Sequence, residues 1–216
     1  MEFLHALIVL SNFVIIPAIT YGSQLALGAL GVTLVYGILR FSNFAHGDTM
    51  AFGTMVAILF TWWFQSIGVS IAPLPTALLA LPIAIVLTAL LLLGTDRVVL
   101  RFYRKQKSAP VILLIVSLGI MFVYNGLVRF IIGVGDQRFS DGSRFIISAR
   151  DFKKLTGLDE GLAIKTTQVI TVITAVMVVA LLFWFLNRTR TGKSMRAFSD
   201  NEDLALLSGI NPERVV

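Results

Sequence analysis

Val111-Ile-Leu-Leu-Ile-Val-Ser-Leu-Gly-Ile-Met-Phe-Val-Tyr-Asn-Gly-Leu-Val-Arg-Phe-Ile-Ile132 is an apolar run with a single charge, Arg129, near its end. About twenty such residues coiled as an α-helix rise ~30 Å, the thickness of a bilayer's hydrocarbon core. Comparable runs recur at Leu4–Ile19, Leu25–Leu39, Ala51–Val69, Thr76–Leu93 and Val169–Leu186. Each must be helical, because an open strand in hydrocarbon leaves its backbone N–H and C=O groups unpaired. The expectation is an all-α, polytopic membrane helical bundle of about six spans.

The whole chain agrees with its runs. Of 216 residues 56% are hydrophobic and only 14% charged, against about 25% charged in an ordinary soluble domain. With no cysteine the chain is not a disulfide-stapled secreted domain. A formal charge of +6 does not make it a nucleic-acid binder, since in a membrane protein a basic excess marks cytoplasmic loops. The first run has Glu2 where a signal peptide would carry Lys or Arg, and it lacks a small-residue cleavage site. It reads as a retained span, short enough to be tilted or partly re-entrant.

Orientation follows from Lys and Arg. With six spans, one side collects Arg40, Arg97, Arg101, Arg104, Lys105, Lys107, Arg188, Arg190, Lys193, Arg196 and Arg214; the other collects Arg138, Arg144, Arg150, Lys153, Lys154 and Lys165. The first side is the cytoplasm. Residues 1–186 then form the transmembrane bundle with a cytoplasmic N-terminus. Residues 133–168 form an extracytoplasmic loop long enough for a small folded cap, and 187–216 a cytoplasmic segment.

Membrane helices associate through close backbone approach, which favours small residues. Ala29, Thr33 and Gly37 fall four apart on the second run, so this face is expected inside the bundle. After it comes Arg40-Phe-Ser-Asn-Phe-Ala-His-Gly-Asp48, too polar for a span and too apolar for an ordinary loop. Two readings stay open. Asn43, His46 and Asp48 lie at membrane depth and face a cavity or the bundle interior, or the stretch is an interfacial turn in which Asn43 and Asp48 cap helix ends. His46 and Asp48 offer too few ligands for a metal site. Asn43, His46, Gly47, Asp48 and Gly37 are the candidates for the substrate path and its packing.

Catalytic chemistry finds no support. Thr191-Gly-Lys-Ser194 resembles the end of a phosphate-binding loop, but Asn187 stands where that loop needs its first glycine, and a membrane helix precedes it instead of a strand. No Ser-His-Asp order and no paired carboxylates within a span suggest hydrolysis or a proton relay. Asp96 and Arg129 sit at span ends, where surface pairing or snorkelling accounts for them. Neither an enzyme activity nor a cofactor is expected.

Past the last run, Asn187–Arg214 reads as a basic membrane flank followed by a short helix. Ser199-x-x-Glu202 matches a capping box, Asp200 and Asp203 place negative charge in the first turn, and Gly209 with Pro212 supplies the stop. A helix of eight to ten residues is marginal alone in water and must dock on something. Leu204, Leu207 and Leu206 give it an apolar face; the membrane surface, another helix end or a separate protein all fit.

Gly22–Asp48, with its Asn43-Phe-Ala-His-Gly47 block, Asp96-Arg-Val-Val99, and Arg196–Arg214, with its Gly209-Ile-Asn211 block, resemble the permease subunits of branched-chain amino acid ABC transporters, and among them the high-affinity H-type subunit. The resemblance runs over the whole chain. It implies a multi-pass importer permease of the bacterial inner membrane, working by alternating access with a second permease, two ATPase subunits and an extracytoplasmic substrate-binding protein. It also implies that Arg196–Asn211 couples to a groove of the ATPase through Arg196, Ala197, Asp200, Leu204, Leu207, Gly209, Ile210 and Asn211. Family members continue with further membrane helices beyond the position of Val216, so the resemblance reads the chain as an N-terminal fragment. Urea or short-chain amide permeases share the Asn-Phe-Ala-His-Gly block and remain an alternative, as does a channel or membrane scaffold that needs no ATPase. The docking-length cytoplasmic helix argues against the last.

Overall fold

A computed structural model describes residues 2–69, 74–106, 108–137, 145–158 and 160–210. The chain forms two compact units, residues 1–30 with 142–216, and residues 31–141.

Helix α1 (Glu2–Leu10) passes through a π-helical turn (Ser11–Ile15) into α2 (Ile16–Leu39) without leaving helical geometry. The expectation of two spans here is therefore corrected, because both runs lie on one helix whose portion His5–Leu39 has 35 residues. The polar residues between the runs bond to their own helix. Thr20 Oγ1 donates to the Ile16 carbonyl and Ser23 Oγ to that of Ile19, each at 2.8 Å. Satisfied locally, they need neither water nor a turn. The wide turn precedes Pro17, whose ring would otherwise press on the carbonyl four residues back. Widening shows as the Ile16 N–H bonding to the Ser11 carbonyl.

Among the described residues, four helices are long and apolar enough to cross a membrane: His5–Leu39, Ala77–Lys105, Pro110–Ile132 and Thr166–Arg188. Helix α3 (His46–Ser66), 21 residues long, has comparable length but opens on His46, Gly47 and Asp48. Six expected spans become these five long helices.

In the unit of residues 31–141, α3 packs against α4 (Ala77–Thr95) and α6 (Pro110–Ile132). Met55, Val56 and Ala84 form the centre, flanked by Phe52, Leu59, Phe60, Val128 and Ile132. The close approach uses Ala80 and Ala84 on α4, both buried, with Thr88 one turn on lying against Gly53; a Cβ on Gly53 would come 3.0 Å from Thr88 Oγ1. The small-residue contact thus falls on α4 and not on the expected Ala29–Thr33–Gly37 face, of which Ala29 and Thr33 are exposed and Gly37 is half-buried. Small residues permit contact on any helix, and the geometry of the neighbours selects which stripe is used. Helix α4 continues through a second π-helical turn (Asp96–Leu100) into α5 (Arg101–Lys105). There Arg104 grips both carboxylate oxygens of Asp96. The outward faces are apolar: Phe122 is 71% and Phe130 89% exposed, which suits lipid and not water.

In the other unit, strands β1 (Phe145–Ile147) and β2 (Ile164–Lys165) pair antiparallel around α7 (Ala149–Thr156). Ser148 caps α7 by accepting from the Asp151 N–H at 3.2 Å, and left-handed Gly157 ends it. The two-stranded ribbon is the one departure from an all-helical chain among the described residues. A Cβ on Gly161 would overlap the Ala149 carbonyl, so the loop closes onto α7 only with glycine there. Asn12, in the π turn of the N-terminal helix, reads this loop with both ends of its amide. Its Nδ2 donates to the Gly161 carbonyl at 2.7 Å, and its Oδ1 accepts from the Ala163 N–H at 3.0 Å. Helix α8 (Thr166–Arg188) follows directly and leads to α9 (Arg190–Asp200) and α10 (Glu202–Leu207).

Candidate functional site

The polar break between α2 and α3 lies in the unit of residues 31–141. Arg40 ends α2 in the left-handed region at φ 53°, a place usually taken by glycine, and costs about 1–2 kcal/mol for the reversal. Phe41 and Ala45 are buried. Asn43 Oδ1 accepts from the Ala45 N–H at 3.1 Å, and the Asn43 carbonyl accepts from the His46 N–H at 3.3 Å. This side-chain turn shapes the lead into α3.

Ser117 holds the break to α6. Its Oγ accepts from the Phe44 N–H at 3.1 Å, lies 3.5 Å from the Ser42 carbonyl, and donates to the Leu114 carbonyl at 2.7 Å, while the residue is 0% exposed. Farther along α6, Asn125 Nδ2 donates to Asp48 Oδ1 at 2.9 Å. Next to Asn125, the Tyr124 hydroxyl meets that of Thr95 at 2.5 Å. Counting along α6 from Pro110 at 1.5 Å per residue, Ser117 lies about 10 Å and Asn125 about 22 Å from the helix start. The non-helical backbone at 42–45 is therefore level with the interior of an apolar helix, where lost hydrogen bonds are expensive and a buried serine supplies them.

Of the two readings of this stretch, each applies to one residue. Asn43 serves the local turn, and Asp48 reaches across to another helix instead of capping its own. His46 lies beside Gly31 of α2: a Cβ on Gly31 would come 2.5 Å from His46 Cε1 and 2.7 Å from Nε2. The crowded glycine at the break is thus Gly31, whereas Gly47 is exposed with nothing within 4 Å of a Cβ. Gly37 is half-buried on α2. Among the described residues no three His, Cys, Asp or Glu side chains gather to hold a metal ion.

At the C-terminal end a corner replaces the single capped helix. Thr189 closes α8 by donating from Oγ1 to the Phe185 carbonyl at 2.7 Å, and opens α9 by accepting from the Gly192 N–H at 3.0 Å. Gly192 is buried; a Cβ there would overlap the Phe185 carbonyl and press on Leu186 Cα, so α9 leans directly on the backbone of α8. The glycine of the Thr191–Ser194 decoy thus serves helix packing. Ser199 lies inside α9 and does not cap the next helix. That cap is Asn201, whose Oδ1 accepts from the Leu204 N–H at 3.1 Å. Its φ of −154° and ψ of 107° break the helix in two, since an extended residue cannot continue α-helical bonding.

Helix α10 packs on α9, with Phe198 and Ala205 the buried residues of the pair. Leu204 and Leu207 point away, 61% and 85% exposed. Left-handed Gly209, φ 79°, ends the helix as expected, and the Ile210 N–H returns to the Ala205 carbonyl at 3.1 Å. Arg196 is exposed and donates to Asn187 Oδ1 at 2.5 Å, while Ala197 and Asp200 are exposed on α9. Asn211 and Pro212 lie outside the described residues.

Sequence reasoning passed over Asn12, Gly31, Ser117, Asn125 and Gly192. Ser117 and Asn125 had a signal, as polar side chains within the most apolar run of the chain; the glycines had none, because crowding is a property of neighbours.

Several helices long and apolar enough to cross a bilayer define a multi-pass helical membrane protein. Residues 14–216 match the family described as Branched-chain amino acid transport system / permease component. The chain belongs to that family, a family of inner-membrane transport components and not of enzymes. It is 28% identical over 201 residues to the "High-affinity branched-chain amino acid transport system permease protein LivH" of Salmonella typhimurium, covering 92% of this chain and 62% of that protein. Escherichia coli K12 LivH is 29% identical over 202 residues, with the same coverage. Pseudomonas aeruginosa BraD, also described as a high-affinity branched-chain amino acid permease protein, is 26% identical over 203 residues, covering 94% of this chain and 63% of BraD. The chain thus spans about 62% of the length of these relatives. No solved structure matches it.

Proposed function

We propose that this chain is the transmembrane part of an ATP-driven importer for branched-chain amino acids, working by alternating access with a second permease, two ATPase subunits and an extracytoplasmic binding protein. The observation that carries the reading is the corner at Thr189 and Gly192. The last described long helix joins a helix pair through the Thr189 hydrogen bonds and the close contact at Gly192, and the pair presents two bare leucines. A rigid lever is what transmission of an ATPase stroke to a membrane helix requires; a channel has no use for it. Family membership supports branched-chain amino acids as the cargo.

Topology belongs to the same proposal. Asn12 binds the loop that leads into α8, so the N-terminal helix starts on the side where α8 starts. With 187–216 cytoplasmic, the N-terminus and residues 145–165 are extracytoplasmic, and the helix reaching Leu39 delivers Arg40 to the cytoplasm, as the basic residues demand. Phe3→Cys and Ser148→Cys should react with an impermeant thiol reagent in intact cells, and Ser208→Cys only after permeabilisation; protection of Phe3→Cys would overturn the topology.

The functional test is ATP-dependent uptake in proteoliposomes by the full-length protein with its four partner subunits. Leucine, isoleucine or valine should accumulate. Uptake of urea or a short-chain amide instead would give the alternative cargo, and uptake without ATPase subunits would overturn the importer reading.

A further inference from the structure

We propose that Asp48, held by Asn125 between α3 and α6, receives the ammonium group of the transported amino acid. The inference rests on the reading of the chain as an amino-acid permease and goes further by assigning one atom group of the cargo to one side chain.

Several neighbouring polar groups have partners within the unit. Ser117 is occupied by the backbone of the break and of α6. Asn43 Oδ1 is occupied by Ala45. Tyr124 and Thr95 share one hydrogen bond. Asp48 differs. Its Oδ1 accepts from a neutral amide at 2.9 Å, and among the described residues no Lys, Arg or His forms an ion pair with it. The contrast with Asp96 is informative, because that carboxylate, near the basic end of the same helical unit, is gripped on both oxygens by Arg104.

A carboxylate held about 10 Å inside the Ile132 end of an apolar helix is costly unless a cation or further donors meet it. Among the described residues Asp48 meets one amide and no cation. Gly47, beside Asp48 on the first turn of α3, leaves open space, so bulk does not close off the adjoining face. A small zwitterion brings the missing positive charge with it. The Asn125 amide fixes the carboxylate on Oδ1 and leaves Oδ2 to the incoming ammonium, whose three N–H groups suit a carboxylate oxygen. No bond is made or broken, and the pair separates when the path opens to the other side.

The test uses the full-length transporter with its partners in proteoliposomes. Asp48→Asn keeps the size and an acceptor for Asn125 while removing the charge; Asp48→Glu keeps the charge. Loss of one charge-assisted hydrogen bond should lower leucine uptake roughly tenfold to a hundredfold in Asp48→Asn. Co-purification of all partners and the melting temperature should stay unchanged, and Asp48→Glu should recover part of the uptake. Isoamylamine, which has the ammonium group but no carboxylate, should inhibit wild-type uptake and fail to inhibit what remains in Asp48→Asn. Wild-type uptake by Asp48→Asn overturns the assignment. So does loss of the second permease from the Asp48→Asn complex, which would give the carboxylate to a cation of that chain, or a fall in melting temperature with unchanged KM, which would make Asp48 a support for α3. If the wild-type complex moves no amino acid, the underlying functional reading fails first, independently of Asp48.

Discussion

The double substitution Leu204→Ala/Leu207→Ala tests whether α10 is the part that meets the ATPase. Each change deletes about three carbon groups, worth ~2.4 kcal/mol when wholly buried at ~0.8 kcal/mol per group. Leu204 is 61% and Leu207 85% exposed, so docking has ~1.5 and ~2 kcal/mol left to gain at the two positions. The sum, ~3.5 kcal/mol, corresponds to a loss of roughly 300-fold in affinity. The part of each side chain already covered by this chain is small, and alanine is the better helix former, so α10 itself should persist. Titrating purified ATPase against the full-length permease in nanodiscs gives the affinity directly, and substrate-stimulated ATP hydrolysis reports coupling. The variant should insert normally, bind ATPase two to three orders of magnitude more weakly and lose stimulation. An unchanged ATPase affinity would refute the reasoning, since leucines this exposed would then have no partner.

Three further substitutions probe the positions at which crowding decides the structure. Gly192→Ala should force α9 off the α8 backbone and abolish stimulated ATP hydrolysis while leaving both leucines in place; an increased rate of proteolysis after Arg188 or Arg190 would report the loosened corner. Gly31→Ala should displace the His46 ring at a cost of about 1–3 kcal/mol, and His46→Ala should relieve that cost, so a double-mutant cycle in thermal unfolding should show strong non-additivity. Ser117→Ala leaves the Phe44 N–H and the Ser42 carbonyl without their buried partner, and should cost about 1–3 kcal/mol and accelerate amide exchange at 42–46, while Ser108→Ala, outside this network, should leave that exchange unchanged.

Hydrophobic run length by itself determined that the chain is a helical membrane protein, because the bilayer constrains every span to the same few parameters: apolar length, internal hydrogen bonding and basic flanks. The exposed Leu204 and Leu207 and the Gly209 stop were equally legible, being local in sequence. Legibility ended where one segment's fate depended on another. Thr20 and Ser23 look like a loop in the sequence, yet bond to their own helix and let the two runs continue as one helix. Arg40–Asp48 could be an interfacial turn or a break inside the membrane. The contact with Ser117 sets the break beside the interior of α6, a relation between helices that has no sequence signature. Gly31 and Gly192 carry the tight contacts while Gly47 carries none, though the three are indistinguishable as letters; a missing Cβ matters only where another atom occupies the space it would take.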